Sequence, residues 1–473
     1  MVTNWLPDIS SRQGPLYVRI ADCAEADIKA GKLAAEAKLP PQRDLAYDLG
    51  VTIGTISRAY ALLRERGLVS GEVGRGTYVQ PGLAANQNRT TDPITVNFGG
   101  TRLMSPPPGK LRFDTTAAAD VGQSEMIGQL MMQIATSHPG EIASYTRVLS
   151  PDWQEAGRRW LSTRNWSPEP TSVVPQLGVH AAITAIIAAV SGPGDRIVSE
   201  HLTYSQVARS AMLTGRQIAL VDSDQDGVVP EDFERVCARE HPKAAFLIPS
   251  GQNPTLAVIP EARRREIADI ARRHNVWLIE DYIYGGMIGD DIPLFAEIAP
   301  DRTFHVNGLS KCVAAGVRGA WVACPAHFSQ RVRVTQKLVT GGLPFVLAEL
   351  AARLVLSGAA DQIRAKVIEE IKAREAVARR IFSGFSFRSH PHMPFLWLKL
   401  PEPWLSGTFK QAAFNEGVLV DDEDEFKSGR SDQVYHRVRV AFSEGVNRRA
   451  IEEGMATLRR LLDDGPSAYV GVS

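Results

Sequence analysis

The sequence predicts an α/β chain in two parts: a small helical unit closed by a hairpin, then a large domain on a mostly parallel sheet with a smaller α/β lobe at its end. Three observations predict this. Up to about Val79, short helical patterns end in a Gly-rich turn. The stretch QPGLAANQNRTTDP that begins at Gln80 is polar and rich in Gly, Pro and Asn, which reads as a linker. From about Ile94 onward, apolar runs alternate with amphipathic segments, the pattern of a parallel sheet covered by helices on both faces. The expected boundaries are 1–79 for the first unit, 80–98 for the linker and 99–473 for the large domain.

Bulk properties narrow the function classes. With 473 residues and a balanced composition, the chain has enough material for two or three packed units. Formal net charge is zero and the first 80 residues are also nearly neutral, which excludes a polycationic nucleic-acid binder. Sequence-specific DNA binding stays open, because base contacts and helix N-termini can supply what a few phosphate contacts do not. The N-terminal stretch has no charged start followed by an apolar segment, and no apolar run is long enough to span a bilayer, so a cytoplasmic location is expected. Cys23, Cys237, Cys312 and Cys324 lack metal-ligand spacing, so reduced, mostly buried thiols are expected and no metal site.

Each element of the first unit has a local cause. LYVRIADCAEADIKAGKL puts Leu16, Ile20, Ala24 and Ile28 at helical spacing and stops at Gly31. LPPQRDLAYDLG gives a short second helix ending at Gly50, and VTIGTISRAYALLRERGLV a third that opens at Thr52, an N-cap type. Two helices joined by a tight Gly-containing turn are the helix-turn-helix pattern, with the later helix in the major groove. Thr52, Thr55, Ser57 and Arg58 stand near its start. LVSGEVGRGTYV then reads as a hairpin whose tip, Gly74-Arg75-Gly76, carries one cation for phosphate or minor groove. A small helical oligomerisation unit fits the same pattern.

In the large domain AAITAIIAAV and REIADIARRHN read as helices, and DRIVSE, RQIALVD, KAAFLIPS and VWLIED as strands. Asp281 ends VWLIED, at the carboxyl edge where α/β sheets bind ligands; a helix cap is the ordinary role for such a residue. Tyr284 follows in the same turn. Asn253, in FLIPSGQNPT, follows another strand and would otherwise be a turn residue. Gly178, Val179 and His180 lie between VVPQL and a long helix, so that backbone N–H groups face an anion. Ser310 and Lys311, in VNGLSKCVAAGVRGAWV, precede Arg318 by a short loop, and a lysine there is by itself unremarkable. Tyr204, in EHLTYSQ, is placed to stack on a ring, or to pack in a core. Arg439, in HRVRVAFS, suits a carboxylate, but Arg437 projects to the same strand face and competes for that role. The tail from about Leu347 combines a long charged helix with the strand-like FLWLKL and RVRVAFS.

Jointly these residues are what pyridoxal phosphate (PLP) chemistry requires: an amine for the aldehyde, an acid against the ring nitrogen, donors to the phenolic oxygen and a phosphate cradle. QNPT, LIEDYIYG, LSK with an arginine seven residues on, and RVAF resemble the fold type I aminotransferases over roughly 380 residues. LYVRI, LPPQRDLAYDLGV, TISRAYALLRERGLV and GRGTYV resemble the GntR-type winged helix. Together they resemble the MocR subgroup of GntR-type regulators, in which a PLP-binding domain senses an effector in a head-to-tail homodimer. The resemblance implies Lys311 as Schiff-base anchor, Asp281, Tyr284, Asn253 and Arg318 as cofactor ligands, and Arg439 as carboxylate binder. It implies Arg43, Thr52, Thr55 and Arg75 as DNA contacts, and Tyr145 as a group reaching the partner subunit's phosphate. Three positions depart from the relatives' pattern: Ile53 where many have arginine, Gly308 where a hydroxyl is frequent, and His180 where glutamine is frequent. Asn253, where many regulators have phenylalanine, looks instead like a working aminotransferase.

Two functions follow as expectations. One is a DNA-binding regulator in which an amino acid or amine forms an external aldimine and releases Lys311. The other is an active aminotransferase, with Lys311 as the general base and the winged helix serving autoregulation. A sensor of PLP itself is a third possibility.

Overall fold

The computed structural model describes residues 5–9, 15–34, 37–66, 68–72, 76–79, 109–289, 291–429, 433–444 and 447–466. Arg75 and the expected linker 80–98 lie outside them. The chain divides into two compact units, Met1–Asn97 and Phe98–Ser473.

In the first unit, helices Leu16–Lys29, Gln42–Asp48 and Ile53–Glu65 precede an antiparallel hairpin, Val69–Glu72 with Gly76–Val79. Gly31 and Gly50 take positive φ just past the first two helices, the conformation for which glycine costs least. Ile20, Ala24, Leu45, Ile56, Leu63, Val69 and Val79 form the core. Leu16, the first residue of the predicted stripe, is exposed: it stands in the first turn, outside that core. Tyr60 is buried and donates to Pro40 O at 2.7 Å, which fixes the proline turn against the third helix.

The second unit is built on a seven-stranded sheet. From one edge to the other its strands are Val173–Leu177, Gly319–Ala323, Thr303–Gly308, Trp277–Asp281, Ala244–Leu247, Arg196–Glu200 and Gln217–Val221. Pairings within the last five are parallel, whereas Gly319–Ala323 runs antiparallel to both its neighbours. Alternate residues enter two cores: Ile197, Phe246 and Ile279 pack on the side of helix Val179–Val190, while Val198, Leu247 and Leu278 pack on the side of Pro230–Glu240 and Glu261–Arg273.

A five-stranded sheet forms the smaller lobe, in the order Phe387–Arg388, Phe395–Lys399, Arg437–Ala441, Val418–Asp422 and Leu111–Phe113. Its last strand comes from the start of the unit and pairs parallel with Val418–Asp422. The smaller lobe therefore is not made from the tail alone. The long charged pattern is helix Ala359–Ile381. All four cysteines are buried thiols outside any disulfide, and among the described residues no helix is long and apolar enough to cross a membrane.

Candidate functional site

Strand direction brings the site together. The parallel strands end at one edge of the sheet, where the last strand residue Asp281 and the segments that follow the strands, carrying Gly178, Tyr204, Asn253 and Lys311, come together. Because Gly319–Ala323 runs the other way, its beginning falls at that same edge, and so Arg318 joins them. One pocket is lined by Val179, His180, Tyr204, Asn253, Asp281, Tyr284, Ser310, Lys311, Arg318 and Arg439. Tyr145 is not among its lining residues and is 86% exposed.

An anion cradle forms where Val173–Leu177 turns into helix Val179–Val190. Gly178 has φ +86°, and a Cβ there would stand 2.5 Å from Arg318 Nη2, so the guanidinium occupies the space a side chain would need. Helix N–H groups and a cation thus face one spot. His180 Nε2 lies 3.0 Å from Ser210 Oγ, and its ring meets Tyr204 edge-on. Burial, then the charge of Arg318, hold its pKa below the usual histidine value, so it enters the cradle as a neutral ring. The missing hydroxyl at Gly308 has a packing cause. A Cβ on Gly308 would meet Gly319 O at 2.8 Å and Val179 Cγ2 at 3.1 Å, leaving no room for serine or threonine.

Lys311 Nζ donates to Thr116 Oγ1 at 2.9 Å, and that oxygen is also 2.9 Å from Tyr284 OH. Burial raises the Tyr284 hydroxyl to about 12, which keeps it protonated as a donor. Asp281 is buried and accepts the N–H of Ile283 at 3.0 Å. Burial pushes its carboxyl up to about 7, against the opposing effects of that hydrogen bond and of Lys311. Such a carboxyl is disposed to share a proton with a ring nitrogen placed beside it. Neighbouring Glu280 faces the opposite side of the sheet and accepts from Phe295 N, Ala296 N and His305 Nδ1, which fixes the strand end that presents Asp281. The loop bearing Asn253 is pinned by the buried Arg264, which donates to Pro249 O, Ser250 Oγ and Ile259 O.

Arg439 donates from Nη1 to Asn253 Oδ1 at 2.9 Å, and from Nη2 to Asp114 O at 3.0 Å and Asp421 Oδ2 at 2.5 Å. Arg437 is half-buried at the strand start, donates to Trp397 O and does not line the pocket. Of the two arginines, only Arg439 meets the other site residues.

In the first unit, Thr52 caps helix Ile53–Glu65, its Oγ1 accepting from Thr55 N at 3.2 Å and lying 3.0 Å from Thr55 Oγ1. Arg43, Ile53, Ser57 and Arg58 are exposed on the second and third helices.

Sequence reasoning missed Thr115, Thr116, Asp421, Glu425 and Phe426. Both threonines follow the three-residue strand Leu111–Phe113, which has too few residues for a period. The three others belong to VDDEDEF, an acidic run that reads as a solvated surface.

These residues fit pyridoxal phosphate. Gly178 and Arg318 form a cradle a Cβ would fill, and a buried carboxylate, a lysine amine and two donors converge on one cavity. Comparisons agree. Residues 118–454 match the class I and II aminotransferase family, and residues 16–79 match the gntR family of bacterial regulatory proteins. The chain belongs to the class I and II aminotransferase family and, with its front domain, is a GntR/MocR-type regulator: a winged-helix DNA-binding domain fused to a fold type I aminotransferase-like domain. It is 29% identical over 462 residues to the uncharacterized HTH-type transcriptional regulator YdeF of Bacillus subtilis, covering 98% of this chain and 97% of that one. It is 25% identical over 322 residues to the pyridoxine biosynthesis regulator PdxR of Corynebacterium glutamicum, covering 66% and 67%. Its fold matches the α-aminoadipate aminotransferase LysN of Thermus thermophilus with a TM-score of 0.68 at 19% identity, covering 77% of this chain and 94% of that one.

Proposed function

We propose that the protein is a cytoplasmic, homodimeric transcription regulator whose DNA binding responds to an amino acid or amine taken up at a PLP site. One observation carries the reading: Lys311, Asp281, Tyr284, Asn253, Arg318 and Arg439 line one pocket of a chain that begins with a winged helix. When bound, pyridoxal phosphate supplies an aldehyde that condenses reversibly with primary amines, and a ring that accepts electrons. Lys311 contributes the anchoring amine, and Thr116 Oγ1 is the hydrogen-bond acceptor for its Nζ when it is not engaged. Asp281 holds a proton toward the ring nitrogen, Asn253 and Tyr284 offer donors, and the N-terminus of helix Val179–Val190 with Arg318 binds the phosphate. Arg439 receives a ligand's carboxylate. On the operator, Arg43, Thr52, Thr55, Ser57, Arg58 and Arg75 make the DNA contacts. A ligand changes DNA affinity only as far as it favours one dimer state over the other.

The deciding experiment loads the full chain with PLP and titrates it with amino acids and amines, following cofactor absorbance, keto acid release and operator binding together. A spectral change with altered DNA affinity and no keto acid supports the regulator. Repeated turnover to keto acid with DNA affinity unchanged overturns it in favour of an aminotransferase. If Lys311→Ala retains the Schiff-base absorbance, the anchor is another residue.

A further inference from the structure

Arg439 reaches the pocket with its hydrogens already committed. Its side chain is 3% exposed and that of Asp421 1%, so the ion pair between them is almost dry. The guanidinium carbon stands 4.8 Å from the ring centre of Phe426 and 5.3 Å from that of Phe395, which restricts its rotation. An arginine binds a carboxylate side by side through two parallel N–H groups, either Nη1 with Nη2 or Nε with Nη2. Both arrangements need Nη2. That nitrogen has two hydrogens, and they go to Asp421 Oδ2 and Asp114 O. Nη1 gives one of its hydrogens to Asn253, and Nε is buried without a hydrogen-bond partner among the described residues.

A ligand carboxylate therefore meets an arginine that is electrically compensated and has neither two-pronged face free. Two-point capture requires Nη2 to exchange one acceptor. Asp114 O belongs to the backbone beside strand Leu111–Phe113, so the side chain of Asp421 is the acceptor that can be exchanged. Exchange leaves two carboxylates around one buried guanidinium, and like charges in a dry site oppose each other. Glu425 lines the same pocket, and its carboxylate is paired with Arg209 at 3.3 Å, so it brings no free cation to the ligand side that would relieve this competition.

We infer that Asp421 is an internal competitor for the carboxylate subsite, and that the pocket accordingly discriminates little between an α-amino acid and the primary amine that lacks its carboxylate. The inference rests on the reading of this pocket as an amine-responsive PLP site with Arg439 as its carboxylate subsite. Asp421 does not line the pocket and acts through Arg439, so it sets specificity by position, disfavouring one ligand class rather than attracting another.

The test titrates the PLP-loaded full chain with two matched pairs, L-alanine with ethylamine and L-phenylalanine with 2-phenylethylamine, reading Kd from cofactor absorbance. In the natural protein the amine-to-amino-acid ratio of Kd values is expected within about threefold of one, and in Asp421→Asn it rises at least about tenfold. Asp421→Glu, which keeps the charge, returns the ratio toward one. A ratio that Asp421→Asn leaves unchanged, or lowers, overturns the inference, since a residue that merely orients Arg439 would weaken amino acids selectively when replaced. Should Asp421→Asn fail to fold, a natural-protein preference for amino acids above about a hundredfold overturns it equally, and a ratio near one sustains it. Absence of any spectral change with all four ligands removes the amine-responsive reading itself, and the inference with it.

Discussion

Burial decides the protonation of Asp281, and protonation ties its cofactor role to stability. Its carboxyl is raised from 3.8 to about 7 in the folded chain. Between those values the folded state holds a proton that the unfolded state has lost, so stability is greatest at low pH, falls as pH rises through the window from about 4 to 7, and levels off above it. That rise corresponds to at most about 4 kcal/mol. Asp281→Asn removes this penalty. In the cofactor-free chain, thermal scans are expected to give the variant a Tm on the order of 5 °C above the natural protein at pH 8, with the gap narrowing below about pH 7 and closing toward about pH 4. The same variant is expected to bind PLP at least about tenfold more weakly, because an amide does not hold the ring nitrogen protonated. Equal Tm values at pH 8 would mean that Asp281 already has a compensating cation. Gly178 gives a second residue-scale prediction. Gly178→Ala drives a methyl to within 2.5 Å of Arg318 Nη2 at φ +86°, a strain of about 1–3 kcal/mol. Circular dichroism should show a folded chain whose PLP affinity is reduced at least about tenfold; unchanged affinity would place the phosphate elsewhere. Residues of this kind were legible in the sequence because each stands just past a strand in a short motif. The meaning of Gly308 was not legible, since its constraint is a neighbouring strand's carbonyl, Gly319 O, and not anything local.

Elements are legible in the sequence where their cause is local. The three helices of the first unit follow from apolar spacing, from glycines at positive φ and from the Thr52 cap. Leu111–Phe113 escaped because three residues carry no period and its partner, Val418–Asp422, lies some three hundred residues away in sequence. The reversal of Gly319–Ala323 was equally silent, although Arg318 reaches the site only through it. The opening of the third helix carries a prediction of its own. Thr52 Oγ1 satisfies the Thr55 N–H, so Thr52→Ala should destabilise the first unit by about 1 kcal/mol, and Thr52→Ser should recover most of that. If the Thr52 hydroxyl also read a base, Thr52→Ala would weaken operator binding by more than the loss of folded unit explains. Arg43 is exposed near the start of the second helix, and Arg43→Ala is expected to weaken operator binding and to reduce the salt slope by about one. A slope equal to that of the natural protein would remove Arg43 from the DNA contacts.

At the scale of the whole molecule, the pocket lacks a group that the resemblance implies. Tyr145 is 86% exposed, lies in a surface groove with Arg147, Lys337 and Pro344, and does not line the pocket that holds Lys311. On the adjoining helix Ser329–Thr340, Leu338 is 80% exposed, and Val334 and Val339 also face out. Large apolar side chains left in water near one another mark surfaces that associate. The proposed homodimer would account for both facts, by covering this surface and letting Tyr145 act at the partner's site. Leu338→Asp is therefore expected to shift the chain from dimer to monomer in sedimentation equilibrium and, as a consequence, to weaken PLP binding although it touches no residue of the pocket. Tyr145→Phe should leave the dimer intact and still weaken PLP binding, since it removes one hydroxyl and no apolar surface. The two variants together separate assembly from contact. A monomeric Leu338→Asp with natural PLP affinity would mean that each site is complete within one chain, and a dimeric Tyr145→Phe with natural affinity would mean that the hydroxyl does not cross the interface.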